Sequence, residues 1–152
     1  MSQASQSVAI LLVDDDADCR MLLRDAITAQ CPNPVFEVSS GEEALCFLRR
    51  QGIWADAPQP GLVFLDIEMA GMNGLETLRQ IRAQQHLASM AVVMMTGVSD
   101  DAHKIAAMKL GANSYTNKPT DPRRFLQTIA CSTEYWLKVH QYPDATHANS
   151  AA

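Results

Sequence analysis

Gly61-Leu62-Val63-Phe64-Leu65-Asp66-Ile67-Glu68-Met69 is the stretch whose reading decides the fold. Apolar residues run from Leu62 to Leu65 straight into an aspartate. A run that short, with a Val and a Phe in it, predicts a strand buried on both faces. A carboxylate at the end of such a strand sits at the rim of the core, half desolvated. Charge there is costly unless it is paired or bound to a metal. Taken alone, Asp66 is equally a turn residue that caps whatever follows.

Working outward, the same alternation recurs. Val8 to Val13 is an apolar strand that ends in Asp14-Asp15-Asp16. Cys19, Leu22, Leu23, Ala26 and Ile27 then follow helical spacing, and Cys31-Pro32-Asn33-Pro34 stops the helix. Val35 to Val38 is a short strand. Ser40-Gly41-Glu42-Glu43 has capping-box spacing and opens a helix carrying Ala44, Leu45, Phe47 and Leu48. Gln51 to Pro60 is the one long irregular connection. Asn73 caps a helix with Glu76 three residues on, burying Leu75, Leu78 and Ile81. Met90 to Met95 is a fourth strand, ending at Thr96-Gly97. Ser99 caps a fourth helix through Ile105, Met108 and Leu110, which Gly111 terminates by its freedom to take positive φ. Ala112 to Asn117 is a fifth strand, ending at Lys118-Pro119. Asp121-Pro122 opens the last helix, which carries Phe125, Leu126, Ile129, Trp136 and Leu137. Strict strand–helix alternation means an α/β fold with a parallel sheet and right-handed crossovers.

At 152 residues, 47% of them apolar, the chain is one domain with a real core. The expected layout is a flexible start over residues 1–7, a domain over 8–139 and a flexible tail over 140–152. A net charge of −5 with no basic stripe argues against nucleic-acid binding. Cys19, Cys31, Cys46 and Cys131 are scattered, as reduced packing thiols of a cytoplasmic protein are. Met1 to Ser7 has neither the basic start nor the apolar core of a signal peptide. No apolar run is long enough to span a bilayer, so no membrane partner is expected.

In a doubly wound sheet, ligands bind beyond the carboxyl ends of the strands. Strand one delivers Asp14 and Asp15 there, strand three Asp66, strand four Thr96 and strand five Lys118. Each has an ordinary reading. Acids before a helix favour its positive end, Thr96 suits a turn, and Lys118 suits solvent. Together these readings explain badly why three carboxylates gather in one place, where repulsion would drive one to protonate. A divalent cation removes that penalty. Oxygen ligands in an incomplete shell suit Mg²⁺, a lysine supplies charge for phosphate oxygens, and a threonine supplies a hydrogen bond.

These positions resemble the receiver domain of two-component response regulators over about Val8 to Leu137. Asp66, Met69 and Gly74 also carry the family's D-x-x-M-x-x-x-x-G pattern. The resemblance implies a flavodoxin-like, doubly wound five-stranded sheet of order 2-1-3-4-5 with five helices. Asp66 would accept a phosphoryl group from a sensor histidine kinase, and the chain would catalyse only its own phosphorylation and dephosphorylation. Asp15 and Asp66 would hold Mg²⁺ directly and Asp14 through water, with the backbone carbonyl of Glu68 completing the shell. Lys118 would contact the acceptor and then the phosphoryl oxygens. Thr96 would swing toward the phosphoryl group, and Tyr115 matches the aromatic switch position; a half-buried strand aromatic fits Tyr115 equally. The Lys118–Pro119 bond is typically cis in the family.

The sequence departs from the family at several places. Ala70 replaces the usual Pro, which would loosen the loop beside the acceptor. Thr120 stands where a bulky apolar residue is frequent. Glu68 and Val98 flank the phosphoryl position and would tune hydrolysis. The Gln51 to Pro60 loop and Tyr135-Trp136-Leu137 are similar to the stand-alone regulators paired with phytochrome-type sensor kinases. About fifteen residues follow Leu137, too few for a DNA-binding module. The function expected is therefore a single-domain regulator acting on a downstream protein target or passing phosphate to a phosphotransfer protein. Two alternatives stay open: an aspartyl-nucleophile phosphohydrolase with Glu68 as acid/base, and a receiver that signals without phosphate. Tyr135, Trp136 or the Ile105/Met108 face could make a homodimer; for the helix faces, packing on the sheet is the favoured expectation.

Overall fold

The computed structural model describes residues 8–97, 101–118 and 121–139. Expectations for Val98, Ser99, Pro119, Thr120 and the two tails lie outside the described residues. Strands β1 (Ala9–Val13), β2 (Val35–Val38), β3 (Pro60–Asp66), β4 (Ala91–Thr96) and β5 (Ser114–Asn117) pair in parallel in the order β2-β1-β3-β4-β5. Helices α1 (Ala17–Thr28), α2 (Gly41–Leu48), α3 (Gly74–Arg82), α4 (Asp101–Lys109) and α5 (Pro122–Glu134) connect and follow them. A π-helical turn over Tyr135–Val139 extends α5.

Successive strand side chains point to opposite faces, and two cores result. Leu11, Val13, Val63, Leu65, Val92 and Met94 face α2 and α3 through Phe47, Leu78 and Ile81. Ile10, Leu12, Leu62, Phe64, Val93 and Met95 face α1 and α5 through Leu23, Ile27, Phe125 and Ile129. The central strands are therefore covered on both sides, which is why their sequences read as unbroken apolar runs.

The capping residues act as expected. The Asn73 side chain accepts the Glu76 N–H at 2.9 Å, and Ser40 accepts the Glu43 N–H at 3.0 Å. The Glu43 carboxylate reaches back to the N–H of Ser39 at 2.8 Å, one residue earlier than in a standard capping box. Gly111 has φ +99°. The Gln51 to Pro60 connection is more ordered than its composition suggests. It holds a 3-10 turn over Gly52–Trp54, and Trp54 packs on Phe47 with ring centroids 4.8 Å apart.

Helix α4 departs from the expectation that its apolar face packs on the sheet. Ile105 is 54% and Met108 48% exposed, while Ala107 is fully buried. Residues two apart lie about 200° apart around a helix, so docking through the small Ala107 turns Ile105 outward. Among the described residues, no helix is long and apolar enough to cross a membrane.

Candidate functional site

Because the strands are parallel, their carboxyl ends share one rim, and β1, β3, β4 and β5 deliver their polar residues there. Asp14, just past β1, is wholly buried. Its Oδ1 accepts the Asp16 N–H at 2.9 Å, its carbonyl accepts Arg20 Nη1 at 2.6 Å, and its Oδ2 accepts Lys118 Nζ at 2.8 Å. Asp15 is exposed and turns across to the β3–α3 loop, where Oδ2 accepts the Ala70 N–H at 3.1 Å. Asp66 ends β3 at 2% exposure. Its Oδ1 is buried without a hydrogen bond, and Lys118 Nζ lies 3.3 Å from it as a charge contact. One oxygen from each of Asp14, Asp15 and Asp66 lies within 4.8 Å of the others.

The electrostatics follow from burial. Desolvation pushes the Asp66 carboxyl up to about 7, with Asp14's charge adding to the rise and Lys118 opposing it. For Lys118, burial pulls the ammonium down, but its hydrogen bond to Asp14 and the charges of Asp14 and Asp66 outweigh that and raise it. Cys19 lies against the same pair. Burial first, then its hydrogen bond to Asp14, pushes its thiol up to about 12, which leaves it unreactive. A buried oxygen without a donor, two further carboxylates close by and a carboxyl pushed toward protonation make a donor set that fits a hard divalent cation.

Thr96, fully buried at the end of β4, is engaged by Glu68. Its hydroxyl donates to Glu68 Oε2 at 2.7 Å, and the Gly97 N–H donates to Glu68 Oε1 at 2.9 Å. The Lys118 N–H donates to the Thr96 carbonyl at 2.6 Å, tying the ends of β4 and β5 together. Tyr115 is a half-buried residue of β5 paired with Met94.

Residues 10–130 match the family described as the response regulator receiver domain. The chain belongs to that family. The receiver fold recurs in solved relatives. The structure of the phosphorylated cyanobacterial phytochrome response regulator RcpA superposes with a TM-score of 0.86 at 27% identity, covering 91% of this chain and 99% of that one. Response regulator Rcp1 of Synechocystis is 26% identical over 138 residues, 91% of this chain and 94% of that protein. The structure of the Mn²⁺-bound form of a response regulator Rcp1 superposes with a TM-score of 0.85 at 25% identity, covering 90% of this chain and 99% of that one. The transcriptional regulatory protein GltR of Pseudomonas aeruginosa is 35% identical over 121 residues, and the match covers 47% of its length.

The strand-end residues of this receiver, Asp14, Asp15, Asp66 and Lys118, are brought together as the sequence suggested. Lys118 sits nearer Asp14 than Asp66, a preference no motif revealed. The contacts missed were the Thr96–Glu68 hydrogen bond and several that involve the backbone. Where most receivers have a proline without an N–H, Ala70 offers one, and it binds Asp15 instead of merely loosening the loop. The Gly97 amide and Arg20 are likewise invisible to motif reading, because their roles depend on loop and helix placement.

Proposed function

We propose that this receiver accepts a phosphoryl group on Asp66 from the phosphohistidine of a sensor histidine kinase. The observation that carries the reading is the setting of Asp66. It is a buried carboxylate at the end of a rigid central strand, with one oxygen lacking a donor, a lysine 3.3 Å away and two carboxylates beside it.

Transfer is in line. An Asp66 oxygen forms a bond to phosphorus as the bond to the donor's leaving atom breaks, and that atom keeps the electron pair. Positioning and charge neutralisation do most of the work. Asp15 and Asp66 directly, Asp14 through water and the Glu68 carbonyl would hold Mg²⁺, which when bound neutralises the carboxylates and the incoming phosphoryl oxygens. Lys118, fixed by Asp14, moves its contact toward the phosphoryl oxygens. The added charge of an acyl phosphate is read by Thr96 and Tyr115, which remodel the surface of α4, β5 and α5. The likeness to phytochrome response regulators supports a phytochrome-type kinase as donor. The output is contact with a downstream protein or relay to a phosphotransfer protein. Full engagement of the Glu68 carboxylate by Thr96 and Gly97 weighs against the phosphohydrolase alternative, which needs that group free as acid/base.

The test is labelling with radioactive acetyl phosphate and Mg²⁺. Wild type takes up stoichiometric acid-stable, base-labile label, and Asp66→Asn takes up none. Equal labelling of Asp66→Asn would sink the assignment. Phosphotransfer profiling against the source organism's histidine kinases identifies the donor.

A further inference from the structure

The side chain of Glu68, at this rim, takes no part in the transfer step itself. It is exposed, yet both of its carboxylate oxygens are held. Oε2 takes the Thr96 hydroxyl at 2.7 Å and Oε1 takes the Gly97 N–H at 2.9 Å. Freezing a glutamate's rotamers costs up to about 2 kcal/mol, so an exposed one normally stays loose in water. Here a hydroxyl and a main-chain amide point at its two oxygens, bridging the ends of β3 and β4. That pair of donors is the ordinary means of holding an oxyanion, and it lies one strand over from Asp66. Strand register places Asp66 opposite Met95, the residue before Thr96. A phosphoryl group on Asp66 would look for the same two donors. They are already occupied by an anion from the chain itself.

We propose that Glu68 is an internal competitor for the phosphoryl group: its carboxylate holds the Thr96 hydroxyl and the Gly97 amide in the resting state and must be displaced before they can bind phosphoryl oxygens. The inference rests on the reading of Asp66 as acceptor. Glu68 is thus a positioning residue that sets the threshold for phosphorylation. It also adds a negative charge near Asp66, so an anionic donor meets both occupied hydrogen-bond donors and repulsion. Displacing Glu68 frees the β3–β4 link at the moment Thr96 is recruited, so the brake and the signal share one hydrogen bond.

The experiment measures, on the full chain with Mg²⁺, the affinity for beryllium fluoride as a phosphoryl mimic and the initial rate of labelling by acetyl phosphate. The variants are wild type, Glu68→Gln, Glu68→Ala, Thr96→Ala and the double variant Glu68→Ala/Thr96→Ala. Losing hydrogen bonds to a charged competitor is expected to raise mimic affinity about tenfold in Glu68→Ala. The gain is smaller in Glu68→Gln, which keeps one acceptor oxygen. A merely structural role would lower affinity, so the direction discriminates. In the Thr96→Ala background the gain from Glu68→Ala should shrink, because one contested donor is gone; a through-space charge effect would persist undiminished. Affinity and rate within twofold of wild type in both Glu68 variants overturn the proposal while leaving Asp66 as acceptor. So does a gain that Thr96→Ala leaves unchanged. Absence of both label and mimic binding in wild type overturns the acceptor reading itself, and the competitor with it.

Discussion

At the scale of single residues, Asp66 is held at odds with its surroundings. Its carboxyl is pushed up to about 7, by burial first and by Asp14 second. The folded state therefore keeps a proton that the unfolded chain releases near pH 4. Between about pH 4 and 7 the unfolded state binds fewer protons, so stability falls as pH rises through that window and is flat above it. Melting in chelator should show a loss on the order of a few kcal/mol from pH 5 to pH 8. Asp66→Asn should flatten that slope, and Mg²⁺ should stabilise more at pH 8 than at pH 5. A pH profile that Asp66→Asn leaves unchanged would assign the slope to other groups. Ala70 offers a second residue-scale test. Its N–H orients Asp15, and groups that orient metal ligands are typically worth about tenfold in metal affinity. Ala70→Pro should weaken Mg²⁺ binding by that order in a calorimetric titration, while Ala70→Gly, which keeps the amide, should not.

At the scale of elements, the site depends on how tightly α3 starts against the end of β3. Gly74 opens α3, and a Cβ there would sit 2.2 Å from the Asp66 carbonyl oxygen and 2.8 Å from the Ile67 Cα. Both are backbone atoms and cannot step aside. The approach is closed by the Gly74 N–H, which donates to the Ile67 carbonyl at 3.0 Å. Gly74→Ala should cost about 3 kcal/mol or more and move the β3–α3 loop that carries Glu68 and Ala70. Denaturant melts would show the loss, and unchanged stability would mean the loop yields freely. The far end of α3 is fastened differently. Arg82 donates to the carbonyls of Gly111 at 3.0 Å and Met90 at 2.9 Å and to Asn113 Oδ1 at 2.8 Å. One guanidinium thus ties α3 to the starts of β4 and β5, at the end of the sheet opposite the acidic rim.

At the scale of the whole molecule, the sheet separates two cores that share no side chain. Phe47 and Phe64 are both fully buried, one in each. Phe47→Leu and Phe64→Leu should each destabilise by roughly 1–2 kcal/mol. Being on opposite faces without common partners, they should add to within about 0.5 kcal/mol in the double variant. A larger interaction energy in equilibrium unfolding would show that the sheet transmits strain between its faces.

What the sequence determined by itself is the frame. Unbroken apolar strands, helical spacing, caps at Ser40, Asn73 and Asp121 and the terminator Gly111 are local signals, because propensity and capping act over a few residues. With strands parallel and alternating with helices, the residues that end them must share a rim. That is why Asp14, Asp15, Asp66, Thr96 and Lys118 could be gathered from the chain alone. Only the tertiary structure decided how those groups divide their contacts. Whether Lys118 leans to Asp14 or Asp66, whether Thr96 meets Glu68, and whether Ile105 faces the sheet or water depend on differences of an ångström or on a helix's rotation. Those are set by close packing of distant segments, and no short-range pattern in the sequence encodes them.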